Sequence, residues 1–217
     1  MNILRYFFLI PLMVISCGLK AENDTLFVPS VRVGLDMSGF ARQFVEPETV
    51  TGEVSVDVEL QENYFAVLEA GMMAVDVKKE THRYQAGGYF FRLGADFNIL
   101  GRTPENPNDL VLLSLRYGYG TMDHEAPFIV IPDPFWGNHQ TALPSEKYRA
   151  HWIEAGMGLK TELFHNIFIG WSLRGRLLVA STKDPAMEPY FIGGYGKSNG
   201  NTTLMLHYHV LYRIPLR

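Results

Sequence analysis

His207 and His209 stand two residues apart near the end of the chain, a spacing that puts both imidazoles on one face of an extended segment. Two imidazoles with a nearby carboxylate can bind a first-row metal or move a proton. The same pair also suits a plainer role, as hydrogen-bonded members of a polar interior. A hydroxyl nucleophile needs a base within hydrogen-bond reach, and no His-x-Ser pair occurs to supply one along a strand face. Gly193-Gly194-Tyr195-Gly196 has the glycine density of a phosphate loop, but no helical pattern follows it and it reads as a flexible loop tip. No catalytic residue, metal set or cofactor is therefore assigned, and the histidines are kept as candidates only.

A larger set of chemically active side chains emerges from period-two alternation. In Gly52–Leu60, Val54, Val56, Val58 and Leu60 alternate with Glu53, Ser55, Asp57 and Glu59. Successive side chains of a strand point to opposite faces, so one face is wholly apolar and the other polar. The same split recurs from Val31 to Ser38, Tyr64 to Val77, Tyr89 to Ile99, Val111 to Gly120, Ile153 to Lys160, Ile167 to Arg176 and Leu204 to Ile214. By this parity the polar face carries Arg32, Arg42, Arg92, Arg116, Lys160, Arg174, Arg176 and Arg213 against Asp36, Glu53, Asp57, Glu59, Glu69, Asp96 and Glu154. Charges of both signs in near balance predict a network of ion pairs, because a buried charge without a partner is costly.

Eight alternating segments, most long enough to cross a bilayer as tilted strands, predict an all-β fold: an eight-stranded antiparallel up-and-down transmembrane β-barrel. Backbone groups in lipid must bond internally, so the sheet has to close. Eight strands enclose an interior just wide enough for side chains to fill, which predicts a plugged lumen. Connections alternate in length. Gln61–Asn63, Gly101–Asp109 and Leu163–Asn166 fall on one side, and the two that run past twenty residues, Met122–Glu146 and Ser181–Thr202, fall on the other. That parity is the one expected of outer-membrane barrels with short periplasmic turns and long extracellular loops. The first long connection is unusually apolar, with Phe128, Ile129, Phe135 and Trp136, and the second repeats the theme in Tyr190-Phe191-Ile192. Either the loops contact a partner or they pack together and cap the barrel mouth.

The first 21 residues are expected to be an export signal, with Arg5 before the apolar run Tyr6–Ile15 and the polar Glu22-Asn23-Asp24 after Ala21. Cleavage after Ala21 and lipidation of Cys17 both fit, and residues 22–217 form the barrel domain on the first reading. One cysteine excludes a disulfide framework, and 19 Lys+Arg against 23 Asp+Glu excludes a nucleic-acid footprint.

Leader, alternating strands and loop parity together resemble the small outer-membrane β-barrel proteins of Gram-negative bacteria, OmpA- and OmpX-like in architecture. The chain is similar in character to uncharacterised barrel families of the Bacteroidota. The resemblance is one of pattern and transfers no functional residue. It implies a cell outer membrane location, with outer-membrane lipids and the barrel-assembly machinery as partners. Tyr212, Ile214 and Leu216 keep the apolar alternation at the end of the chain, though the usual terminal aromatic is missing. The expected role is structural, adhesive or partner-binding, through the long loops to an extracellular partner. The alternative is a lipid-modifying enzyme or narrow channel that uses the histidines of the lumen or rim.

Overall fold

The structure, a computed structural model, describes residues 29–100, 108–182, 187–198 and 200–215. The expected export signal, Cys17, most of the 101–109 link and Leu216 lie outside the described residues. Strand β1 (Val31–Asp36) is followed by helix α1 (Ser38–Gln43), β2 (Thr49–Gln61), β3 (Tyr64–Lys78), β4 (His82–Asn98), β5 (Leu110–Ile131), β6 (His139–Phe164) and β7 (Ile167–Ser181). A small hairpin of β8 (Phe191–Ile192) and β9 (Gly196–Lys197) then precedes β10 (Thr202–Ile214). Each long strand pairs antiparallel with its neighbours, and β1 closes the ring by pairing with both β2 and β10. The architecture is an eight-stranded antiparallel barrel, with β8–β9 as a separate two-stranded piece.

The alternation fixes what faces out. On β10, Leu204, Leu206, Tyr208, Val210, Tyr212 and Ile214 are exposed while His207, His209 and Leu211 between them are buried. Ten residue steps of about 3.4 Å, tilted by roughly 40°, give an apolar band on the order of 25 Å tall. From Tyr89 to Phe97 on β4, from Val111 to Tyr119 on β5 and from Ile167 to Val179 on β7, outward positions carry no Asp, Glu, Lys or Arg. A closed barrel with that band around it is a membrane-spanning barrel. Amphipathic rings mark both edges: Tyr64 against Phe97 (4.8 Å between centroids) at the end where the chain termini lie, Tyr119 against His151 (4.8 Å) at the other.

The two tight turns at the terminus end are built alike. Asn63 and Asn166 adopt left-handed φ values of 67° and 66°, which asparagine tolerates better than most side chains. The backbone N–H of each donates to a glutamate four residues earlier, Asn63 to Glu59 (3.3 Å) and Asn166 to Glu162 (2.6 Å).

Two expectations about elements are corrected. The stretch Met122–Glu146 is not an irregular loop: β5 and β6 continue as a hairpin to Ile131 and from His139, leaving only residues 132–138 between them. The run Phe128-Ile129-Val130-Ile131 favours extended backbone, so Phe128 and Ile129 lie on β5. The first strand ends at Asp36 instead of Ser38, because the Asp36 carboxylate accepts the Ser38 N–H (2.6 Å) and turns the chain into α1. A side chain at Gly39 would sit 2.2 Å from the Thr51 carbonyl oxygen, so only glycine lets α1 lie this close to β2. Arg42 reaches inward from the helix, not from a strand, with its guanidinium 5.2 Å from the Phe191 ring centre.

Candidate functional site

The polar faces of the eight strands meet in the lumen, which fills in three layers. Nearest the chain termini, Phe65, Val67, Leu110 and Leu112 form an apolar cluster. The Arg32 guanidinium lies over Phe65 and Phe168 (4.6 and 5.4 Å to the ring centres), a cation held between two aromatic faces. Below it, Arg213 donates to Asn108 (2.8 Å), Asn166 (3.1 Å) and Glu162 (3.1 Å) across the rim. Glu59 accepts from Ser30 and the Asn63 amide at the same end.

The middle layer is one connected ionic chain. Arg32 pairs with Asp57 (2.6 Å), Asp57 with Lys160 (2.7 Å), Lys160 with Asp96 (3.7 Å), Asp96 with Arg116 (3.0 Å), and Arg116 with Glu69 (3.1 Å). Glu69 then takes Arg174 (2.9 Å) and Arg92 (2.7 Å). Arg92, fully buried, also meets Glu53 and Glu154 (3.3 Å), and Glu154 takes Arg176 (3.0 Å). Six cations thus interlock with the six carboxylates of Asp36, Glu53, Asp57, Glu69, Asp96 and Glu154, the Asp36 link running through His207 to Arg176. Every charge but Asp36 has at least one opposite neighbour, and Asp36 instead accepts from the neutral His207 ring and the Ser38 N–H, so that each charge carried away from water is paired or hydrogen-bonded. Two pockets in the lumen, of about 20 and 30 Å³, have room for little more than a water molecule each.

His207, His209 and Asp36 do come together, with one potential ligand atom from each lying within 4.8 Å of the others. Their lone pairs are already committed. His207 bonds Asp36 through Nδ1 and accepts from Arg176 through Nε2 (2.6 Å), while His209 Nε2 accepts from Arg174 (3.3 Å). A guanidinium only donates, so both Nε2 atoms must be acceptors, and the proton of His207 sits on Nδ1 toward Asp36. A metal ion would have to displace two arginines and then sit beside their charges. The Ser172 hydroxyl accepts from Arg174 Nε (3.0 Å). The donor set fits a hydrogen-bonded lattice better than a metal centre or a nucleophile with its base.

The upper layer closes the mouth. Trp152, fully buried on β6, donates its indole N–H to Glu154 (2.7 Å) and packs with Phe90, Met73, Phe191, Ile192 and Tyr195. Gly193-Gly194-Tyr195-Gly196 is not a flexible tip: the β8–β9 turn is driven into the barrel, with Tyr195 0% exposed. The Tyr195 carbonyl accepts from Arg176 (2.8 Å) and Thr203 (3.0 Å), and the Gly194 carbonyl from Arg92 (3.4 Å). Gly194 has φ 75°, and a Cβ there would lie 2.5 Å from the Phe90 ring, so the position requires glycine on both counts. Lys197 pairs with Glu46 (2.5 Å) on the outside, which raises the Lys197 pKa.

Trp152 and its inward neighbours Ala150 and Tyr148 escaped the alternation reading, which began that strand at Ile153. Continuing the even-numbered parity backward from Glu154 would have found all three.

The tip of the β5–β6 hairpin is built in the opposite sense. Phe135 and Trp136 are 91% and 92% exposed. The Asp133 carboxylate accepts both their backbone N–H groups (2.7 and 2.9 Å), and Gly137 N–H returns to the Asp133 carbonyl (3.1 Å) with φ 83°. Those two amides hold the Asp133 carboxyl below the usual carboxylate range. Phe128 is partly exposed on the strand below and Ile129 half-buried. Among the described residues the two long connections part: the β8–β9 turn fills the mouth and the tip of the β5–β6 hairpin stands clear of it.

A major outer membrane protein from Thermus thermophilus is similar in structure, with TM-score 0.50 and 11% identity over 86% of this chain and 98% of that one. Ail, the attachment invasion locus protein of Yersinia pestis, aligns with TM-score 0.43 and 11% identity over 86% of this chain and 97% of its own. The N-terminal β-barrel domain of Pseudomonas aeruginosa OprF aligns with TM-score 0.32 and 13% identity over 85% and 97%. The first of these shows the fold to be that of a small outer-membrane β-barrel. No curated protein matches the chain in sequence. A family model described as "Domain of unknown function (DUF6048)" matches residues 3–217.

Proposed function

For a chain that belongs to the DUF6048 family over residues 3–217 and folds as a small outer-membrane barrel, we propose a non-enzymatic, partner-binding role at the cell surface. The barrel sits in the outer membrane, is delivered there by the barrel-assembly machinery, and is sealed to solutes by its ionic middle and folded-in mouth. Its working surface is the β5–β6 hairpin. The observation that carries this reading is the display of Phe135 and Trp136, almost wholly solvent-exposed yet locked at the backbone by Asp133. Exposed aromatics on a pre-ordered turn present large contact area at low entropic cost, which is how interface anchors work.

A photo-reactive residue in place of Trp136 tests this in intact cells. Crosslinking to an extracellular macromolecule is expected from position 136, absent from position 163 at the opposite end, and lost with Phe135→Ser. No crosslink from position 136 would overturn the reading, as would nanosiemens-scale conductance in planar bilayers for the sealed lumen.

A further inference from the structure

Strand β1 is short. It ends where Asp36 pairs with His209 and Leu35 with Val54, and above that level α1 occupies the gap between β2 and β10. The helix sends Phe40 to the outer surface. Leu35 and Phe40 form one bank of an external groove, and Tyr89, Phe91 and Tyr119 form the other. Between the banks, Gly52 and Ala70 contribute almost no side chain. The groove has a volume of about 670 Å³, within the roughly 300–1,000 Å³ of small-molecule sites. The Asp36 and Glu53 carboxylates behind its floor are already held by His207 and Arg92.

The height of this groove decides what fills it. It opens sideways onto the apolar band, with Tyr89 and Met72 near the upper edge of that band. Above Met72 on β3 the outward side chains are the small Ala74 and then Asp76, which pairs with Arg83 (3.1 Å) and Lys78 (3.0 Å). We propose that the groove holds one acyl chain of a membrane lipid from the leaflet at the loop end, with the headgroup at the level of Asp76. The surface is continuous with the lipid-facing band, so hydrocarbon is what reaches it. A chain lying there touches protein on three sides, whereas a chain on the flat band touches it on one. Dispersion contacts, small singly and large together, therefore hold it more firmly than its neighbours.

Gly52→Trp projects an indole into the groove from an unobstructed position, since a Cβ at Gly52 meets nothing within 4 Å. Gly175→Trp on β7 is the matching control, an outward glycine whose added Cβ meets only the Ala155 carbonyl at 3.8 Å. The full chain is reconstituted in vesicles of phosphatidylethanolamine and phosphatidylglycerol, extracted in mild detergent, and weighed by native mass spectrometry. Wild type and Gly175→Trp are expected to retain one diacyl lipid, and Gly52→Trp to lose it. Heat-modifiable gel mobility checks folding, and Ala70→Leu, which narrows the same floor, decides the matter if Gly52→Trp does not fold. Equal retention in all variants, no lipid on wild type, or a bound free fatty acid in place of a diacyl lipid would each overturn the assignment. None of these readouts involves Phe135 or Trp136, so the groove and the hairpin tip stand or fall separately.

Discussion

The two long connections at the loop end start from similar material and reach opposite states. Residues 128–136 and 190–195 are both rich in aromatic and branched side chains, yet Phe191, Ile192 and Tyr195 are buried and Phe135 and Trp136 face solvent. Composition does not separate them. What separates them is where backbone acceptors can be used. The β8–β9 turn brings the Gly194 and Tyr195 carbonyls down onto Arg92 and Arg176, so it adds two acceptors for guanidinium N–H groups on top of the carboxylates those arginines already meet. The β5–β6 tip satisfies its own amides through Asp133 and needs nothing from the barrel. A loop whose polar groups are used below is drawn in, and a loop that is self-sufficient stands free.

The sharpest way to break this contrast is Trp152→Ala. It removes the seat of the β8–β9 turn and the indole donor to Glu154, and a buried tryptophan truncated to alanine costs about 3–5 kcal/mol. Urea unfolding in vesicles is expected to show that loss, with new protease cleavage within residues 187–198. A smaller effect is expected from Gly194→Val, which leaves the Trp152 pocket intact but puts side-chain atoms against Phe90 at a positive φ. Overpacking of this kind costs about 1–3 kcal/mol, read by the same unfolding curve.

The smallest effect sharpens the other side of the comparison. Because the folded-state pKa of Asp133 is depressed, its contribution to the tip is present above the ordinary carboxylate pKa and is lost as pH falls through the lowered value. Trp136 fluorescence anisotropy should stay constant down to the ordinary carboxylate range and drop below it. Asp133→Asn should loosen the tip at neutral pH and abolish the pH dependence of the anisotropy, because the neutral amide stands in for the protonated acid, and it should leave the unfolding curve of the barrel unchanged.

Much of the barrel was legible in the alternation, because lipid on one side and charge on the other leave each strand little choice of face. The inward placement of Arg92, Glu69 or Arg174 follows from that parity, but their partners do not, since pairing depends on which strands meet across the lumen. The extent of β5 and β6 was missed because Pro127 and the bulge near Ala126 interrupt the period-two pattern. Helix α1 was missed because Phe40 and Arg42 can be read as a continuing strand. The burial of Tyr195 was hidden by its glycine neighbours, which suit a free loop and a tightly enclosed turn equally well. A legible signal that went unread is the repeat Glu59-Leu60-x-x-Asn63-x-Phe65 and Glu162-Leu163-x-x-Asn166-x-Phe168, which marks both tight turns and both rings around Arg32.

Those two turns carry a consequence for the order of events during assembly. Their glutamate-to-amide bonds span four residues, whereas the bond from Arg92 to the Gly194 carbonyl spans 102. Contacts close in sequence form at little cost in chain entropy, and distant ones wait until the intervening chain is organised. The two tight turns of this protein therefore set early, while the seating of the β8–β9 turn in the mouth waits, like the closure of β1 on β10, until the chain between has been organised.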